Sequence, residues 1–386
     1  MKKLFVLSFV CSFTLMLMGA KNPPVDPNYS FIVRDPNSNY IQILFAGDAM
    51  QHAPQIQMAY NAQTKKYNYE PNFRYIRPYV SKADIAIVNF ETTLSGEPYA
   101  GYPKFRAPDA YFTELCETGF QVFALANNHI LDGGQKGLER TLNTMGSVAH
   151  LGAYRDTAYR AKEYPLILHI DGKKIALFNA TYGTNQIIPP HPNYVNYIET
   201  EELLLDMEKS KKDSTIDLRI MFIHWGDEYQ LRHNPLQQGV AQWLADLGFD
   251  LIIGSHPHVV QDQEILTTED GRNVPVVYSL GNFISNQRRL NTNGGIMVAV
   301  NINRKTAKIE EVEYIPVYVH KGQLGTENNY FCIPTFDYLD GNLPIKIESD
   351  SLANDLKLFH DNTMKRMGNT LNVFPTRSFI FEELDL

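Results

Sequence analysis

The sequence predicts a layered α/β fold on three observations. Short β-rich apolar runs alternate with amphipathic helical patterns, several runs end in clusters of acidic, amide and imidazole side chains, and the composition is that of an ordinary globular chain. The apolar runs fall at residues 41–46, 84–89, 122–126, 175–179, 218–224, 251–253, 274–279 and 295–300. Helical patterns fall between them at 109–118, 134–145, 200–210 and 236–247. In the last, Leu236, Val240, Trp243, Leu244 and Leu247 share one face.

The N-terminus reads as an address. Met1-Lys2-Lys3 is a basic head, residues 4–18 are an uncharged, mostly apolar run, and Gly19-Ala20 precede Lys21-Asn22-Pro23-Pro24. This pattern predicts a signal peptide over residues 1–20 and an exported protein of the periplasm or cell envelope. The run is short of the roughly 20 residues that span a bilayer. An uncleaved anchor is the alternative, because Met18 is not the small residue preferred two places before the cut. Residues 21–40, rich in Pro, Asn and Asp, read as a linker, 41–335 as the main domain and 336–386, where periodicity weakens, as an extension packed on it.

Composition excludes several classes. The net charge is −8, and loss of Lys2 and Lys3 with the leader takes it to −10. An acidic chain lacks the electrostatic footprint of a nucleic-acid binder. Three Cys are too few for a disulfide scaffold or a thiolate zinc module, and Cys116 and Cys332 are expected as separate buried thiols.

The polar clusters follow the apolar runs directly. Residues 43–46 lead into Gly47-Asp48 and on to His52, 85–88 into Asn89-Phe90-Glu91, 122–125 into Asn127-Asn128-His129, 220–223 into His224, and 251–253 into Gly254-Ser255-His256-Pro257-His258. Ligands of open α/β sheets bind beyond the carboxyl ends of the strands, which are rigid places from which to aim a side chain. Asp48, Glu91, Asn128, His224, His256 and His258 form a mixed oxygen and nitrogen donor set, suited to zinc, manganese or iron(II) rather than calcium. Six donors exceed the four that one zinc takes. They suit two divalent ions about 3.5–4 Å apart, a pair that polarises a phosphoryl or carbonyl oxygen and activates water. Each cluster alone has a plainer reading, since a lone His often satisfies a core and Asn favours turns and caps. Their repetition at run ends favours a site.

Together with Asp132-Gly133 and Tyr278-Ser279-Leu280-Gly281-Asn282-Phe283, these motifs resemble the bacterial capsule-synthesis proteins of the poly-γ-glutamate (CapA) type, which are similar in fold to calcineurin-like metallophosphoesterases. The resemblance runs from Ile41 to about Val300. It implies a four-layer α-β-β-α sandwich with two mixed sheets and a metal site at one edge. It implies Asp48 on a first metal, Glu91 as the bridge, Asn128, His224 and His256 on a second, and His258 returning to the first. His129 takes the place of an acid or electrophile, with Asp132 orienting it. Matching stretches imply substrate contacts from Arg106, as a clamp on an anionic group, and from Trp225, Glu228, Tyr229 and Asn282; packing is the plainer role for the aromatics. One departure concerns the first metal. Metallophosphoesterases begin with Asp-x-His, whereas the matching residue is Met50, a poor ligand for a hydrolytic ion, and His52 is the candidate replacement.

Three readings stand open on the sequence. One is an exported metal-dependent hydrolase of a phosphoester or related bond in an envelope polymer. Another is a non-hydrolytic factor that binds an anionic capsule polymer through the metal. The third is a metal-free scaffold. The expected partners are an anionic polymer or a phosphoester substrate, with no nucleic acid, and with a membrane close by only through the N-terminal segment.

Overall fold

A computed structural model of the chain describes residues 28–198, 201–368 and 373–375. The expected signal peptide, residues 21–27 of the linker, Thr200 and residues 376–386 lie outside the described residues. Among the described residues, no helix is long and apolar enough to cross a membrane.

The alternation of the apolar runs builds two layers at once. In the strand Tyr40–Asp48, Ile41, Ile43 and Phe45 enter one apolar cluster while Leu44 and Ala46 enter another. Ile85–Asn89 repeats this, with Ile85 and Ile87 on one side and Ala86 and Val88 on the other. Both faces of these strands are covered, as buried parallel strands require.

Two mixed sheets result. One has seven strands in the order Asn28–Phe31, Leu166–Ile170, Lys173–Thr181, Leu218–His224, Leu251–Ser255, Asn273–Val277 and Gln263–Thr267. The other has eight. Its main order is Glu327–Pro334, Ile309–Leu324, Gly294–Asn303, Tyr40–Asp48, Ile85–Asn89, Val122–Ala124 and Ala149–Leu151, with Val373–Pro375 added beside Ile309–Leu324. The strands that precede the polar clusters are parallel to their neighbours, so their carboxyl ends emerge together. The sheets pack face to face, with Phe45 meeting Phe222 edge-on at 5.7 Å between centroids. Helices Asp109–Thr118 and Gly134–Met145 cover the outer face of one sheet through Leu115, Leu138 and Leu142. Helices Glu201–Lys212 and Pro235–Leu247 cover the other through Met207, Val240 and Leu244. The fold is the four-layer α-β-β-α sandwich that the sequence predicts.

Local chemistry fixes the helix ends. Asn234 accepts from Gln237 N at 2.8 Å while Gln237 Oε1 accepts from Asn234 N at 3.0 Å, a capping box worth about 1 kcal/mol. Leu236, expected on the buried face of that helix, is 70 % exposed; it lies in the first turn, and the buried face runs instead through Gln237, Val240, Ala241, Leu244 and Ala245.

Two stretches add to the expected organisation, and a third, the extension beyond residue 335, packs on the domain as expected. Asn28–Phe31, within the stretch read as a linker, pairs in parallel with Leu166–Ile170, and Tyr29 and Phe31 pack on the core. Strands Ile309–Leu324 and Glu327–Pro334 follow the last predicted run. Beyond residue 335, the helix Asp350–Met367 buries Leu356 and Phe359 against Tyr318, Phe331 and Ile333. Cys116 and Cys332 are free thiols, the first half-buried and the second buried, and burial pushes the Cys116 thiol up to about 12.

Candidate metal centre

The carboxyl ends of the parallel strands from both sheets meet at one edge. Asp48 closes Tyr40–Asp48, Glu91 follows Ile85–Asn89, and Asn127, Asn128 and His129 follow Val122–Ala124. From the facing sheet, Tyr182 follows Lys173–Thr181, His224 closes Leu218–His224, and His256 and His258 follow Leu251–Ser255. Residues 278–281 pack against a glycine on each of these sheet edges. A Cβ on Gly254 would lie 2.0 Å from the Tyr278 carbonyl oxygen, and one on Gly47 would lie 2.1 Å from that of Gly281. His256 and His258 have φ of 100° and 58°, values that side chains with a Cβ rarely adopt, and such strain concentrates at functional sites.

Three overlapping donor groups lie here, each with its ligand atoms within 4.8 Å of one another: Asp48, Glu91 and His258; Glu91, His224 and His256; and Glu228, His256 and His258. Glu91 belongs to the first two. Its Oε1 stands 3.8 Å from His258 Nε2 and 3.9 Å from His224 Nε2, and accepts no hydrogen bond. Glu91 is fully buried, and burial followed by the neighbouring Asp48 holds its carboxyl well above the usual range. His256 Nδ1 is a second buried atom without a partner. Burial and His258 pull the His256 imidazole down to about 3, and burial and His256 hold His224 well below its ordinary value, so both rings are neutral donors. A buried polar atom left unsatisfied costs about 1–3 kcal/mol, and a cation between such atoms would remove that cost.

Amides brace the cluster. Asn89 Nδ2 lies 2.8 Å from Asp48 Oδ1, 3.2 Å from Glu91 Oε2 and 3.3 Å from His224 Nδ1. Asn127 reaches Asn89 Oδ1 and the Phe90 carbonyl, and its own Oδ1 accepts from His129 N. Asn128 Oδ1 lies 3.0 Å from His224 Nε2. His258 Nδ1 lies 3.0 Å from Asp48 Oδ2. Ser255 Oγ lies 3.0 Å from His224 Nδ1.

His129 Nδ1 lies 2.8 Å from Asp132 Oδ2, which also accepts from Phe105 N at 2.7 Å. The His129 ring packs edge-on against Phe105 at 4.6 Å, so its tilt and its Nδ1 are both fixed. Sequence reasoning missed Asn185, whose Nδ2 lies 3.4 Å from His129 Nδ1 and whose Oδ1 accepts from Asn128 Nδ2 at 3.3 Å. It also missed Tyr182, which packs over His256 at 4.6 Å and is half-exposed, with its phenol pushed up to about 12 by burial and Glu91.

The other expected residues are placed differently. His52 is in none of the three donor groups. It sits at the N-cap of Ala53–Ala59, packs on Phe105 at 5.0 Å, accepts from Asn286 N at 3.3 Å, and is pulled down to about 4 by burial. Met50 is buried beside it. Trp225 is buried and donates its indole N–H to the Tyr278 carbonyl at 2.9 Å, which gives it the packing role. Asn282 is buried and donates to the carbonyls of His258 and Thr292, bracing the site from below. Tyr229 is 38 % exposed and lies 6.2 Å from the His258 ring, and the exposed Glu228 belongs to a donor group rather than lying apart from the cluster. Arg106 follows Phe105, and among the described residues its side chain makes no hydrogen bond or ion pair.

Among solved structures, the calcineurin-like phosphoesterase YfkN from Bacillus subtilis aligns at a TM-score of 0.41 and 14 % identity, covering 84 % of this chain and 98 % of its own. The sulfate thiohydrolase SoxB of Thermus thermophilus aligns at a TM-score of 0.39 and 12 % identity, over 90 % of this chain and 62 % of its own. In sequence, the capsule biosynthesis protein CapA of Bacillus anthracis is 26 % identical over 269 residues, spanning 67 % of this chain but 63 % of that protein's length. The PGA biosynthesis protein CapA of Bacillus subtilis is 24 % identical over 324 residues, 81 % of this chain and 79 % of that one. A profile described as bacterial capsule synthesis protein PGA_cap matches residues 42–287, a span that holds every donor of the three groups, and the chain belongs to that family.

Proposed function

We propose that this capsule-synthesis family member is an exported, metal-dependent hydrolase that cleaves a phosphoester or related bond in an anionic envelope polymer. One observation carries the proposal. Glu91 Oε1 is buried, unpartnered and nearly equidistant from His224 and His258, so Glu91 would serve both donor groups if each held a cation. Asp48, Glu91 and His258 would hold one ion, and Glu91, His224 and His256 with Asn128 the other. Manganese, zinc or iron suits this donor set, and two such ions supply Lewis-acid polarisation and water activation.

The chain's own residues complete the chemistry. His129, held through Nδ1 by Asp132, turns Nε2 free to protonate a leaving oxygen. Asn185 and Phe105 keep the ring from rotating. Arg106 remains the candidate clamp for an anionic group near Phe105. Tyr182 covers His256 from the solvent side and limits water access.

The test is metal analysis of the purified protein with a phosphodiester screen of wild type and His256→Ala across added divalent ions. Bound transition metal and an activity lost in His256→Ala are expected. No bound metal and no activity with any ion would sink the proposal.

A further inference from the structure

The loop that follows Ile284 carries two arginines with no carboxylate partner. Arg74, Arg77, Arg140, Arg160, Arg272 and Arg304 each form an ion pair with an acid. Arg288, Arg289 and the nearby Lys321 form none among the described residues; Arg34, Arg106, Arg155, Arg219, Arg232 and Arg366 form none either, but these three stand together, in a chain whose net charge is −8. All three are held by means that leave their charge uncancelled. Arg288 donates to the carbonyls of Val319 and Ser285 at 2.9 Å each and lies 5.5 Å from the Tyr330 ring. Lys321 Nζ donates to Asn286 Oδ1 at 3.0 Å and lies 5.5 Å from the same ring. Arg289 lies over the Tyr229 ring at 5.2 Å.

These supports border the donor cluster, one through His52 beside it and one through His258 within it. Asn286, which anchors Lys321 through its side chain, donates its backbone N–H to His52, and the Tyr229 ring beneath Arg289 lies 6.2 Å from His258. Asn282 ties the loop down by donating to Gln287 Oε1 and the Thr292 carbonyl while also holding the His258 carbonyl. The acid on this side, Glu228, faces His256 and His258. Burial, with a contribution from Arg288, lowers the Lys321 ammonium, as crowded cations without a counter-ion should.

We propose that Arg288, Arg289 and Lys321 form a cationic subsite beside the donor cluster, and that it holds successive carboxylates of an extended polyanion whose reacting unit lies at the cluster. The placement of the reacting unit rests on the hydrolase reading; the subsite itself does not. One feature selects an extended chain over a single small anion. The charges stand on two different aromatic supports, Tyr330 and Tyr229, rather than converging on one point. Guanidinium groups match carboxylates in geometry, and repeated weak pairs sum along a tethered chain.

The experiment is binding of glutamate, of a ten-residue poly-γ-glutamate and of a polyphosphate of equal charge, by titration calorimetry at two salt concentrations, with wild type, Arg289→Ala, Lys321→Gln and the Arg288→Gln/Arg289→Gln double variant. Metal content and melting temperature are measured on each, and Arg289→Lys serves as the conservative variant. The ten-residue chain should bind at least about tenfold tighter than glutamate, and more weakly at high salt. Each single variant should lose about threefold for the chain, the double variant more, with Arg289→Lys recovering part of the loss at unchanged metal content. Equal affinity for chain and monomer, or a correctly folded double variant that binds the chain like wild type, overturns the subsite. Tight polyphosphate binding with none of polyglutamate overturns the carboxylate assignment. If chelated protein still binds the chain and no metal restores hydrolysis, the hydrolase reading fails and the subsite stands.

Discussion

On one side of Glu91 stand Asp48 and His258; on the other stand His224 and His256. The first pair is already satisfied by its own members and neighbours, with Asp48 taking Asn89 on one oxygen and His258 on the other. The second pair keeps an unpartnered His256 Nδ1 and gains the amide oxygen of Asn128 beside His224. Met50 and His52 add nothing to the first group, because one is a buried thioether and the other is turned toward Phe105 and Asn286. An incomplete, internally satisfied donor set binds an ion less tightly than an unsatisfied one with an extra oxygen. On the proposed two-ion reading the second group would be the tighter site, because its His256 Nδ1 stays free even though His224 is hydrogen-bonded at both ring nitrogens.

Glu91→Gln breaks both groups at once and has the largest expected effect. Both ions should be lost by elemental analysis, and phosphodiester turnover should fall by about 10³-fold or more. Asp48→Asn and His256→Ala separate the groups. Asp48→Asn should reduce two ions to one and leave that one resistant to mild chelation. His256→Ala should remove the tighter ion, and with it most of the rise in melting temperature on metal addition. Equal stoichiometry and equal chelator sensitivity in the two variants would erase the difference between the groups.

The pH dependence follows from Glu91. Its carboxyl is raised by burial and Asp48, whereas the His256 imidazole is pulled down to about 3, so a cation that displaces a proton here would take it from Glu91 rather than from His256. Affinity should then rise with pH, and calorimetric enthalpies should differ between buffers of unlike ionisation enthalpy; identical enthalpies would count against it. Asn185→Ala should lower kcat by about tenfold with metal content unchanged, because it loosens His129 and Asn128 without removing a donor. His52→Ala should leave the metal count unchanged, the smallest effect of the series. A lost ion there would return His52 to the first group.

Much of this was legible in sequence where burial dictates composition. Strands buried on both faces must be continuous apolar runs, so the runs ending at Asp48, Asn89 and His224 are visible, and so is the chemistry that follows each one. Ile309–Leu324 was not legible. It carries Pro316, paired opposite Ile296 inside the sheet, and a proline there argues against a central strand. Asn185 and Tyr182 lay hidden for another reason. They reach the site by a loop whose Asn185 and Gln186 adopt left-handed backbone angles, and no periodicity encodes that. The placement of His52 depended on where Asn286, far along the chain, would put its backbone N–H.

The donor set is divided between the two sheets. Asp48, Glu91 and Asn128 leave one, while His224, His256 and His258 leave the other. The backbone of Tyr278 and Gly281 packs at glycine distance against Gly254 on one edge and Gly47 on the other. A cation held by donors from both sheets would be a clasp as well as a reagent: it would fasten the mouth of the sandwich, and its departure would loosen the two sheets at that edge.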